Sequence, residues 1–130
     1  MTGTANEFYD YNDNLNNIDL FSAWLFGKIN ANCILSDISR CGCSVLIPRN
    51  QSAPSGKFNL LIMSPENSER LHTVLNAEQC WQDNKYSSTH KKMGIKFQNI
   101  AQDQLLEINV LTHHFKLFGN TNIKCCLIKR

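Results

Sequence analysis

The sequence predicts a mainly β fold, an antiparallel barrel or sandwich finished by a C-terminal helix, and three observations carry that reading. Short apolar runs recur at roughly 10-residue spacing, bounded by Gly, Pro, Asn and Ser. The stretch "HTVLNAEQCW" (72–81) alternates with period two. It sets Val74, Asn76, Glu78 and Cys80 against Thr73, Leu75, Ala77, Gln79 and Trp81, the mark of a half-buried strand. The period becomes helical in "AQDQLLEINVLTHHFKLF" (101–118), where Leu105, Ile108, Leu111, Phe115 and Phe118 fall on one face.

The elements follow in order. Residues 1–17 are rich in Asn and Asp with few apolar anchors, which predicts a flexible acidic leader. "IDLFSAWLFGKI" (18–29) reads as a first strand. "NCILSDI" and "CSVLIP" read as strands on either side of a turn, with Pro48 ending the second and "RNQSAPSG" (49–56) forming a loop. "KFNLLIM" (57–63) is a compact strand stopped by Ser64 and Pro65. The polar "NKYSSTHKK" links the 72–81 strand to "MGIKFQNI" (93–100), so five or six strands precede the helix. Gly119 ends the helix. The last stretch, "NIKCCLIKR", reads either as a final strand or turn packed on the domain, or as an apolar tail over 119–130 that joins the helix in docking a partner protein or a second copy.

Composition narrows the function classes. With 130 residues the chain is about one domain, large enough for a core without staples. Hydrophobic content of 42% and charged content of 18% are ordinary for a globular protein, with no run near the roughly 20 apolar residues of a membrane span. No secretory pattern opens the chain, so the expectation is a cytoplasmic protein with reduced thiols and no membrane insertion. The six cysteines include no C-x-x-C pair. A set drawn from Cys41, Cys43, His113, His114, Cys125 and Cys126 lacks structural-zinc spacing, so no metal is expected. From Asp37 onward, twelve Lys or Arg face seven acids, a mild positive excess suited to a small anion rather than to nucleic acid. No nucleophile-base order or phosphate loop stands out, and the reading is non-enzymatic, with no cofactor.

The turn in "ILSDISRCGCSVLIP" (34–48) is chemically richer than a hairpin requires. Asp37, Ser39 and Gly42 form D-x-S-x-x-G. A carboxylate can accept two parallel hydrogen bonds from the N1–H and N2–H₂ edge of guanine, a hydroxyl can donate to phosphate, and glycine admits close approach. An Asx or Ser turn closing the hairpin explains the same residues.

The order of elements around this motif resembles the PilZ domain family over about residues 30–118. "ILSDISRCGCSVLIP" is similar to the family's D/N-x-S-x-x-G strand-turn-strand, "GKFNLLI" to its next strand, "LNAEQCW" to the strand ending in an aromatic, and "MGIKF" to its v-G-v-x-F strand, followed by the terminal helix. The resemblance implies a PilZ-like domain over 18–118, a six-stranded antiparallel barrel with a C-terminal helix. It implies a non-enzymatic receptor or adaptor for cyclic di-GMP that signals by protein contact. Asp37 would read a guanine edge, Ser39 would lie near a phosphate, Gly42 would permit close approach, and Arg40 would supply the nearby cation.

The sequence departs from the family at its second ligand motif. R-x-x-x-R should precede the first strand, but no Arg occurs before Arg40, and the region reads "YDYNDNLNNIDLF". Each missing charge-assisted bond would cost about 1.5–3 kcal/mol, so nucleotide binding is expected to be weak or altered. The alternative is a PilZ-like interaction module that no longer binds the nucleotide.

Overall fold

The computed structural model describes residues 29–67, 70–119 and 122–129. Six antiparallel strands close a barrel: β1 (Ile29–Ile38), β2 (Gly42–Pro48), β3 (Lys57–Met63), β4 (Leu71–Asp83), β5 (His90–Gln98) and β6 (Lys124–Lys129). One helix, α1 (Gln102–Phe118), stands between β5 and β6. Around the barrel the strands run β1-β2-β5-β4-β3-β6, with β6 joining β3 back to β1. The expected fold class, a six-stranded antiparallel barrel with a helix near its C-terminus, is what the chain forms.

The sixth strand differs from expectation. The strand expected at 18–29 and the leader at 1–17 lie outside the described residues, apart from Ile29 at the head of β1. Of the two readings of the last stretch, the final strand is the one that forms: residues 124–129 are a wall of the barrel and not part of a tail beyond it. Cys33 pairs with Cys125 on one side of it and Leu60 with Leu127 on the other. The domain therefore extends past 118 to Lys129. The reason is closure: without β6, the edges of β1 and β3 would each present a row of unpaired backbone groups.

Inward side chains fill the barrel. Leu35, Val45, Ile47, Phe58, Leu60, Ile62, Leu75, Met93 and Leu127 are fully buried there with Ile108 and Leu111 of α1. The helix therefore caps the core. It is tied to β4 by Gln104, whose Nε2 donates to the Val74 carbonyl at 2.9 Å, and by His72 Nε2, which lies 3.1 Å from the Glu107 carbonyl. Phe118, expected on the buried face, is 65% exposed, because the last helical turn runs past the barrel's end. Its ring packs on His114 instead. Among the described residues no helix is long and apolar enough to cross a membrane.

Candidate functional site

Two β-bulges build a cleft on the barrel's outer wall. Along β1, Leu35 pairs with Val45 but Asp37 pairs with Ser44, so two steps on β1 match one on β2. Ser36 is the extra residue. Strict alternation from inward-facing Leu35 would turn Asp37 inward; the bulge turns it out. A second bulge lies at Cys80 on β4, where Gln79 pairs with Ile95 and Trp81 with Gly94. Period two placed Trp81 on the face of Leu75 and Ala77. The bulge moves it to the outer face, where it is 49% exposed.

The register then aligns Asp37, Ser44, Gly94 and Trp81 in one row across β1, β2, β5 and β4. This row lies in an open cleft of about 260 Å³, also lined by Ser39, Gly42 and Lys92. Trp81 and Asp37 stand at its two ends. The indole lies over Gly94, where a β-carbon would collide with the ring, so the glycine of "MGIKF" houses the tryptophan. Lys92 brings a cation, its ammonium 5.4 Å from the centre of the Tyr86 ring. Ser44 is buried beneath the cleft and its hydroxyl is the buried side-chain group without a hydrogen-bond partner among the described residues.

The residues singled out by sequence fare differently. Asp37 is exposed at the cleft wall. Ser39 closes the turn: its backbone N–H donates to the Gly42 carbonyl at 2.8 Å and its hydroxyl to the same oxygen at 3.3 Å. Gly42 has no positive φ; its β-carbon would collide with the Ile95 carbonyl oxygen, so the glycine serves the approach of β2 to β5. Arg40 is exposed at the turn and outside the residues lining the cleft. Lys96 is drawn toward Glu78, at 3.9 Å. Sequence reasoning missed Ser44, Trp81 and Lys92, because only the bulges and the β2-β5 pairing bring them beside Asp37.

The cysteines divide by burial. Cys41 and Cys80 are exposed, whereas Cys33, Cys43, Cys125 and Cys126 are buried. Burial pushes the thiols of Cys43 and Cys125 well up, and that of Cys126 to about 11. Among the described residues no three His, Cys, Asp or Glu side chains group as metal ligands.

The cleft offers an aromatic face, a carboxylate, a free buried hydroxyl and an amine. That set suits a planar, hydrogen-bonding, anionic ligand: the ring for stacking, the carboxylate for paired donors, the amine for phosphate. No protein-family model matches the chain, and neither the curated proteins nor the solved structures contain a match.

Proposed function

We propose that this protein is a non-enzymatic receptor or adaptor of PilZ type that takes cyclic di-GMP weakly at the cleft between Asp37 and Trp81. The observation that carries the reading is the row Asp37, Ser44, Gly94, Trp81. It joins the carboxylate of the D-x-S-x-x-G motif to the aromatic residue of β4 on one face. In this reading a guanine stacks on the indole with its donor edge toward Asp37, and Lys92 meets a phosphate. The cleft is smaller than the roughly 300–1,000 Å³ of pockets that enclose a drug-sized ligand. One half of the dinucleotide sits in it and the other lies on open surface. The signal then passes to a partner protein by contact.

A second reading draws on two of the same observations. Ser39 is spent on closing its turn and Gly42 on strand packing, so both motif residues have structural work without a ligand. Together with the missing Arg pair, this favours an interaction module that keeps the fold alone.

Isothermal titration with cyclic di-GMP at low and moderate salt decides between them. The receptor reading expects a dissociation constant of about tens of micromolar or weaker. Asp37→Ala, losing charge-assisted bonds of about 1.5–3 kcal/mol, should weaken it roughly 10- to 100-fold. Trp81→Ala should weaken it at both salts, and Lys92→Ala mainly at low salt. No heat and no chemical-shift change at millimolar nucleotide would leave the interaction module.

A further inference from the structure

Helix α1 has two apolar faces. Ile108 and Leu111 are buried and seat one of them on the barrel. The other carries Leu106, Val110 and Leu117, each more than half exposed, with His113 exposed between the last two. At 3.6 residues per turn these four side chains fall within about 60° of one another, and about 160° from the face of Ile108 and Leu111. Trp81 and Tyr86 belong to the cleft and its rim, and Phe118 packs on His114. Among the described residues the stripe is therefore the exposed apolar surface that the site does not use.

Its spacing points to the occupant. The steps from Leu106 to Val110, His113 and Leu117 are four, three and four, the seam of a paired helix, and the series reads the same in reverse. A twofold interface needs that property, because residue i must meet j while j meets i. In an antiparallel pair Leu106 meets Leu117 of the partner subunit, and Val110 meets His113 of the partner subunit, each twice by symmetry. Charge sets the direction. The first half of α1 holds Asp103 and Glu107 and no base, whereas the second holds His113, His114 and Lys116 and no acid. Glu107 also lies 3.9 Å from His72 of β4. Antiparallel packing sets each acidic half beside a basic half and opposes the macrodipoles; parallel packing would set acid beside acid. The stripe lies opposite the core face, so the two barrels stand clear of each other on the outside of the pair. We infer that α1 is a homodimerisation helix whose stripe of Leu106, Val110, His113 and Leu117 packs antiparallel on the same stripe of a second copy. This holds whether or not the cleft takes a nucleotide. The helix is only about 26 Å long, so the contact falls below about 1,200 Å² in total and the dimer is reversible, with a dissociation constant of about tens of micromolar.

Sedimentation velocity of the full chain from about 5 to 500 µM brackets that constant. A monomer–dimer equilibrium is expected; a strict monomer at the highest concentration would leave the stripe to a different protein and overturn the inference. Val110→Glu, at an exposed position, should raise the dissociation constant at least about tenfold with circular dichroism unchanged, because it puts a carboxylate in the seam. A dimer that this change leaves intact has its contact elsewhere and overturns the inference. Asp103→Asn with Glu107→Gln tests the direction. An antiparallel pair loses complementary charge and weakens about two- to fivefold, whereas a pair that tightens is parallel and overturns the arrangement. Should Val110→Glu fail to fold, dilution of the unaltered chain followed by amide chemical shifts gives an independent reading. Changes are expected along 103–117, and changes confined to the strands overturn it.

Discussion

Gly42 and Gly94 show how one residue type meets two different neighbours. A methyl at Gly42 would strike the Ile95 carbonyl, a backbone atom that cannot turn aside. A methyl at Gly94 would strike the Trp81 indole, a half-exposed side chain that can. Gly42→Ala should therefore cost about 1–3 kcal/mol in urea unfolding, as overpacking does. Gly94→Ala should cost less than about 1 kcal/mol, since the ring can swing into water, yet it should shift Trp81 fluorescence and weaken any stacked ligand. Asp37 and the turn were legible in the sequence because D-x-S-x-x-G is contiguous. Trp81 was visible as a residue but assigned to the wrong face. A single bulged residue reverses alternation, and nothing in "AEQCW" marks Cys80 as the one that bulges.

The strands β2 to β5 were legible because each couples an apolar run to a turn-forming boundary. β6 was harder to read. "KCCLIK" lacks alternation because both its faces are buried, Cys125 and Leu127 toward the interior and Cys126 and Ile128 toward a second cluster on the outer wall. Its position after a helix also hid it as a member of the sheet. Removing residues 121–130 should abolish the cooperative thermal transition instead of loosening a partner contact, because β1 and β3 lose their common neighbour. Phe97→Ala in β5 should cost about 3–5 kcal/mol by denaturant titration, since Phe97 is buried in the interior cluster. Helix α1 was legible from its period, and its start is set by Gln104, whose side chain accepts from the Ala101 N–H at 2.8 Å.

For the molecule as a whole, the buried thiols set an alkaline limit. Cys43, Cys125 and Cys126 are raised above the ordinary thiol value of 9.0, chiefly by burial, so the fold holds their protons where the unfolded chain releases them. Protons bound by the folded state exceed those bound by the unfolded state above that value, and stability must fall as pH rises. The stabilisation is fully present below pH 9 and is lost progressively as pH climbs through about 11, the value for Cys126. Urea midpoints between pH 8 and 11 should decline, and the decline should shrink in Cys126→Ala. A flat profile would mean that these thiols release their protons as readily in the barrel as in the unfolded chain.

The placement of β6 also bears on how the chain is made. A ribosome that has delivered β3 must add the 60 residues between Met63 and Lys124 before the strand that joins β3 to β1 exists. At about 5–20 residues per second that interval is roughly 3–12 s. Throughout it, the outer edges of β1 and β3 stay open, each able to recruit a neighbouring nascent chain on the same message. Slower translation lengthens the exposure, so yield of soluble protein should depend on the codons of the segment linking β3 to β6 more than on those of β6 itself.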